Sequence, residues 1–212
     1  MSEISHITLR LSIWWQEAIE GDKKAFSNIH KELFNGLYYY AVKLLGDSNL
    51  ANDTLQELFI KLWVKRKSIG ELKNVKAYFF TSLRRQLLNE LRNIRSHSNK
   101  ISSSSENDFS EINIADDFDI EFSPEEIIIK NQESETLHEK LMDLLNELPR
   151  RQKEVIYLHY FEEMSYDQIA NIMGINYQSV LNHVQKALQK LREQNLLILF
   201  LSASSLTYFL RG

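Results

Sequence analysis

From Trp14 to Arg95 apolar residues recur at three- and four-residue spacing almost without interruption, the period of an amphipathic helix. The stretch WWQEAIEGDKKAFSNIHKELFNGLYYYAVKLLG keeps that rhythm until Gly46, which ends it. Asp47 or Ser48 then offers an N-cap, and LANDTLQELFIKLWVKRK carries Leu50, Leu55, Phe59, Leu62 and Trp63 as candidates for burial. SIGELKN reads as a loop around Gly70, and VKAYFFTSLRRQLLNELRNI resumes as a basic amphipathic helix.

The rhythm fails from Ser96 to about Glu133. SHSNKISSSSENDFSEINIADDFDIEFSPEE is rich in Ser, Asp and Glu and contains Pro124. Serine runs and like charges bury too little apolar surface to offset ordering entropy, so the stretch reads as a flexible linker. Its Phe109, Ile112, Ile114, Phe118, Ile120 and Phe122 exceed what a spacer needs and point to docking in the presence of a partner. Helical periodicity returns from Thr136 to Arg192 in LHEKLMDLLNEL, RRQKEVIYLHYF, SYDQIANIM and NYQSVLNHVQKALQKLR.

The last two of these form a helix-turn-helix pattern. Two steeply crossing helices need a small residue at their contact, supplied by Ala170, and a turn residue that tolerates positive φ, supplied by Gly174. Val180 pins the second helix, with Ile169, Met173, Ile175, Val184 and Leu188 completing the core. Tyr177, Gln178, Ser179, Asn182, His183 and Lys186 then face outward, side chains suited to base edges and phosphates at a helix N-terminus. A hairpin of helices that merely packs, with the same residues in solvent, is the competing reading.

Charge at first argues against DNA, because the chain carries a formal net charge of −4. The charge is segregated, however. Residues 1–95 hold 15 Lys/Arg against 10 Asp/Glu, residues 96–135 hold 2 against 11, and residues 136–212 hold 8 of each. Phosphate affinity depends on local patches, so the acidic linker does not count against binding elsewhere. The absence of cysteine excludes disulfides, thiolate metal sites and cysteine nucleophiles, and suits a reducing, cytoplasmic setting. With six glycines and two prolines the chain favours long helices. The expectation is an all-α protein: two small helical domains joined by a flexible acidic linker, the C-terminal one containing the helix-turn-helix. The boundaries are 1–95, 96–135 and 136–194, followed by an apolar tail, 195–212.

Two blocks carry a family resemblance. LPRRQKEVIYLHYFEEMSYDQIANIMGINYQSVLNHVQKALQKLR, residues 148–192, resembles region four of bacterial RNA polymerase sigma factors, which reads the −35 promoter element. GDKKAFSNIHKELFNGLYYYAVKLL, ANDTLQELFIKLW and AYFFTSLRRQLLNELR resemble region two of the same family. Both blocks across a short linker, with no region three between them, resemble the extracytoplasmic-function, or group-four, class. The resemblance implies a non-enzymatic protein with no cofactor and no metal. It would bind core RNA polymerase, read double-stranded −35 DNA and capture the melted, single-stranded −10 element.

Residue by residue, the resemblance places core polymerase binding on Asp53, Gln56, Glu57, Ile60 and Trp63. Asp53, Gln56, Glu57 and Ile60 share one helical face by spacing, whereas Phe59 and Trp63 lie on a neighbouring stripe that reads as core. The −10 strand falls to Lys73, Asn74, Lys76, Arg84, Arg85, Asn89 and Arg92, which combine backbone neutralisation with side chains for an extruded base. Arg85 stands where asparagine is common and Asn89 where aspartate is common, and both changes add positive character. Tyr78, Phe79 and Phe80 could stack bases or fill the core. Leu181 replaces a basic residue frequent after the valine of the reading helix. The linker, balanced at −9, would be attracted to the basic walls of the polymerase channels in this family, or would serve as a solvated spacer.

The tail NLLILFLSASSLTYFL lies outside the resemblance. Leu196–Leu210 is shorter than the roughly 17–25 residues that span a bilayer, so no integral membrane segment is expected. Leu196, Leu199, Ala203, Leu206 and Leu210 share a helical stripe that either packs back on the chain or docks a partner, such as an anti-sigma protein. No phosphate-binding loop, HExxH or nucleophile elbow supports an enzyme. The alternatives are a helix-turn-helix regulator and a protein that sequesters polymerase.

Overall fold

In the computed structural model, residues 3–102, 120–122, 135–196 and 200 are described. The chain divides into two compact units, residues 1–115 and 116–212. All eight α-helices named below, and one π-helical turn, lie in the described residues.

The first unit holds α1 (Glu3–Glu20), α2 (Lys23–Leu45), α3 (Ser48–Ile69) and α4 (Val75–Ser102). The periodicity that runs unbroken from Trp14 to Gly46 in the sequence is in fact split at Gly21. Gly21 adopts φ 113°, and the Asp22 carboxylate accepts from the amides of Lys24 and Ala25 at 2.7 and 3.2 Å, restarting the helix as α2. A cap of this kind contributes about 1 kcal/mol, enough to fix where a long apolar pattern breaks. Gly46 ends α2 at φ 68°, and Asp47, not Ser48, caps α3 through the amides of Asn49 and Leu50.

The core of this unit is aromatic and leucine-rich. Trp15 from α1 meets Phe79 of α4 edge-on at 5.9 Å and donates from Nε1 to the Gly70 carbonyl at 2.9 Å, tying α1 to the loop before α4. Tyr40 of α2 packs on Phe80 at 5.4 Å. Phe79 and Phe80 are fully buried, so they serve the core, while Tyr78 is half-buried. On α3 the burial falls on Ala51, Leu55, Leu58, Phe59 and Leu62; Leu50 and Trp63 are only partly covered.

The second unit holds α5 (Glu135–Asn146), α6 (Arg150–Ile156), α7 (Tyr166–Met173) and α8 (Tyr177–Glu193). The segment RRQKEVIYLHYF does not continue as one α-helix. Tyr157–Phe161 forms a π-helical turn, closed by the Glu162 amide donating to the Tyr157 carbonyl at 3.2 Å. Val155, Ile156, Ile169, Val180, Val184, Ala187 and Leu191 form the interior, with Ile172 joining where Ile175 and Leu188 are half-buried. Ile120 and Phe122 of the linker are buried in this unit, as are Leu196 and Phe200 at the start of the tail, Phe200 meeting Tyr160 edge-on at 4.9 Å. Phe109, Ile112, Ile114, Phe118, Leu199, Ala203, Leu206 and Leu210 lie outside the described residues. No described helix is long and apolar enough to cross a membrane.

Candidate functional site

The geometry of the reading helix begins with its caps. Ser165 and Gln168 form a reciprocal capping box at the start of α7, with bonds of 3.3 and 2.8 Å. Gly174 then turns the chain at φ 67°, and the Ile175 amide donates to the Ala170 carbonyl at 3.0 Å. Asn176 caps α8 by accepting from the Ser179 amide at 2.7 Å. Val180 and Val184 face inward, which turns Tyr177, Gln178, Asn182 and Lys186 to solvent and leaves Ser179 and His183 half-buried.

These outward groups are ordered among themselves. The Gln178 Nε2 donates to Asn182 Oδ1 at 3.1 Å, one turn along α8. Tyr177 is 45% exposed and lies edge-on to Tyr166 at 6.1 Å, which in turn packs on His159 at 4.6 Å. Burial holds the His183 imidazole below the usual histidine range, and the charges of Arg151 and Lys186 push it in the same direction. Arg151, in the first turn of α6, was not singled out by the sequence pattern. Only folding brings its charge beside the reading face.

In the first unit the predicted −10 residues divide. Arg85, Asn89 and Arg92 share an exposed face of α4, with Arg92 donating to Asn89 Oδ1 at 3.1 Å, and Lys73 is exposed in the preceding loop. Asn74 uses its Oδ1 to cap α4, accepting from the Ala77 amide at 2.7 Å. Lys76 is half-buried with Nζ 5.8 Å from the Phe80 ring centre. Arg84 stands apart: at 5% exposure it is an interior side chain and not a member of the basic face.

On α3, Asp53, Gln56, Glu57 and Ile60 form a solvent-facing stripe, as their spacing requires. Glu57 accepts from Gln86 Nε2 at 2.6 Å and pairs with Lys61 at 2.8 Å. Ile60 is 64% exposed and Val64, one turn on and absent from the sequence reading, is 68% exposed. Trp63 is off this stripe. Its ring lies 5.1 Å from Phe26 and 3.8 Å from the Arg66 guanidinium.

The two units match two parts of one family. Residues 30–97 match Sigma-70 region 2 and residues 138–191 match Sigma-70, region 4. The chain belongs to the sigma-70 family. Its relatives place it in the extracytoplasmic-function class. It is 28% identical over 165 residues to RNA polymerase sigma factor SigV of Bacillus subtilis, covering 78% of this chain and 86% of that protein. It is 26% identical over 166 residues to ECF RNA polymerase sigma factor SigM of the same organism, covering 77% and 92%. Among solved structures, the sigma factor RpoE from Bartonella quintana, in complex with the anti-sigma factor NepR, shares the fold. It superposes with a TM-score of 0.54 at 23% identity, over 80% of this sigma factor and 96% of that chain.

Proposed function

We propose that this sigma factor binds core RNA polymerase and directs promoter-specific initiation by reading −35 DNA with α8 and holding the opened −10 strand on α4. The observation that carries the reading is the capped, solvent-facing row Tyr177, Gln178 and Asn182 on a helix-turn-helix, in one chain with a second helical unit that carries the region-two stripe. Residues 1–95 form the polymerase-binding and −10 domain, 96–135 the linker, whose first residues continue α4 as far as Ser102, and 136–194 the −35 domain.

On α8, Gln178 and Asn182 have the donors and acceptors for base edges, while Lys186 and Arg151 supply positive charge to the flanking phosphates and His183 offers them a hydrogen bond. On α4, Arg85, Asn89 and Arg92 follow the backbone of a single strand, with Lys73 at the entrance. Phe79 and Phe80 stack no bases, being fully buried. Arg84 supports α4 from within. The stripe Asp53, Gln56, Glu57 and Ile60 meets the polymerase. The protein contributes no catalytic group of its own to RNA synthesis, and it acts in the cytoplasm with the polymerase. An anti-sigma protein is a further partner, by analogy with the NepR-bound RpoE.

Run-off transcription with purified core polymerase tests the assignment. Adding the protein should produce transcripts from promoter templates selected from the host genome, and scrambling the −35 element should abolish them. Stable polymerase binding without initiation would favour a sequestering protein, and DNA binding without polymerase would favour a free-standing regulator.

A further inference from the structure

Residues 120–122 lie outside both family-matched stretches, yet they are held in the second unit as a peptide is held in a binding site. Asn146, at the end of α5, accepts from the Phe122 amide at 2.8 Å and donates from Nδ2 to the Phe122 carbonyl at 3.1 Å. One carboxamide thus satisfies both main-chain polar groups of one residue, as a neighbouring β-strand would. The side chains alternate as on a strand: Ile120 is fully buried, Glu121 is exposed, and Phe122 is 3% exposed. The Phe122 ring packs against Phe161 of the π-helical turn at 5.6 Å, and Phe161 stacks in turn on Tyr157 at 5.7 Å.

We propose that the second unit carries a groove for an extended apolar–acidic–apolar peptide, walled by Asn146 and Phe161, and that the occupant is the chain's own Ile120–Glu121–Phe122. The groove belongs to the family-matched domain, whereas its occupant belongs to the connector. Recognition rests on main-chain hydrogen bonds plus two apolar pockets, so the site selects a short pattern and needs no long sequence. A segment tethered in the same molecule is present at roughly millimolar effective concentration, which keeps the groove filled against dilute competitors. The docking therefore fixes one point of the acidic connector on the DNA-reading domain.

The test uses the full chain and a fluorescein-labelled synthetic peptide spanning residues 116–126. With Ile120→Ala and Phe122→Ala combined, the emptied groove should bind the peptide with a saturable rise in anisotropy. The unsubstituted protein should bind it at least tenfold more weakly, and adding Asn146→Ala to the double variant should weaken binding tenfold or more. No saturable binding by the folded double variant, or equal binding by both proteins, overturns the proposal. If circular dichroism shows that the double variant has lost its helices, hydrogen exchange on the unsubstituted chain decides. The Phe122 amide should exchange at least tenfold more slowly than in the isolated peptide, and Asn146→Ala should remove that protection. An unprotected Phe122 amide overturns the proposal equally.

Discussion

Gln178 and Asn182 hold each other across one turn of α8, the amide of the first donating to the carbonyl oxygen of the second at 3.1 Å. Two side chains that share a hydrogen bond present their remaining donors and acceptors in a fixed register, which is what base-edge readout needs. Losing either one releases the other. Gln178→Ala and Asn182→Ala should each weaken promoter binding by about 1–3 kcal/mol. The double variant should fall short of the sum, because the second substitution removes a partner already disordered. Binding of the polymerase-bound factor to promoter DNA, with a scrambled −35 control, measures the cycle. Strict additivity would mean the pair is not a unit.

Asp53 and Gln56 should behave oppositely. Asp53→Ala with Gln56→Ala is expected to weaken polymerase binding by tenfold or more, about 1.4 kcal/mol. Both side chains face solvent, so the thermal midpoint should not move. Trp63→Ala should instead destabilise the first unit by about 2 kcal/mol, through loss of its packing on Phe26 and Arg66. Affinity measurements alongside thermal unfolding separate the two effects. A Trp63 variant of normal stability and poor polymerase binding would return that residue to the docking stripe.

His183 makes a pH prediction with a definite sign. Its folded-state pKa lies below the unfolded value near 6.5, first through burial and then through Arg151 and Lys186. The unfolded chain therefore takes up a proton more readily, and stability from this group is present above about pH 6.5 and lost as pH falls through the folded pKa. Burial lowers His30 as well, so it acts in the same direction. Arg151→Ala should raise the His183 pKa toward the ordinary value, measured by NMR of its ring protons. Promoter phosphates should raise it further, so DNA affinity should strengthen as pH drops through the same window.

At Gly174 an added Cβ meets nothing within 4 Å, so the cost of Gly174→Ala is that of the φ 67° backbone alone. That amounts to about 1–2 kcal/mol for a residue other than glycine in the left-handed region. Gly174→Asn should cost visibly less, since asparagine tolerates this conformation. Chemical denaturation of the three proteins gives the ranking.

Features governed by local chemistry were legible in the sequence. Gly174, Asp47 and the outward Tyr177, Gln178, Asn182 and Lys186 follow from rules that act over a few residues, whereas Ser179 and His183, expected in the same row, are half-buried. Gly21 and Asp22 obey the same rules, but the strong apolar rhythm on either side masked the break. Arg84 and Arg85 show a different limit. Neighbours in sequence, they sit about 100° apart around a helix, so one is interior and the other exposed, and composition alone cannot tell them apart. Arg151 reaches the reading face only through tertiary packing. The π-helical turn has no local signature, and although Ile120 and Phe122 read as docking residues, where they dock was not legible because Asn146 and Phe161 lie far along the chain.

The π-helical turn sets adjacent rings against opposite flanks of the chain: Phe161 takes Phe122 from before the domain, and Tyr160 takes Phe200 from after it. The DNA-reading domain is therefore larger than its family outline. A fragment cut to residues 138–191 would strip both covers from this turn, leaving Phe161 only its contact with Tyr157 and Tyr160 only its contact with His159 among the ring pairs of the turn. Anyone dissecting this sigma factor should place the cuts before Ile120 and beyond Phe200.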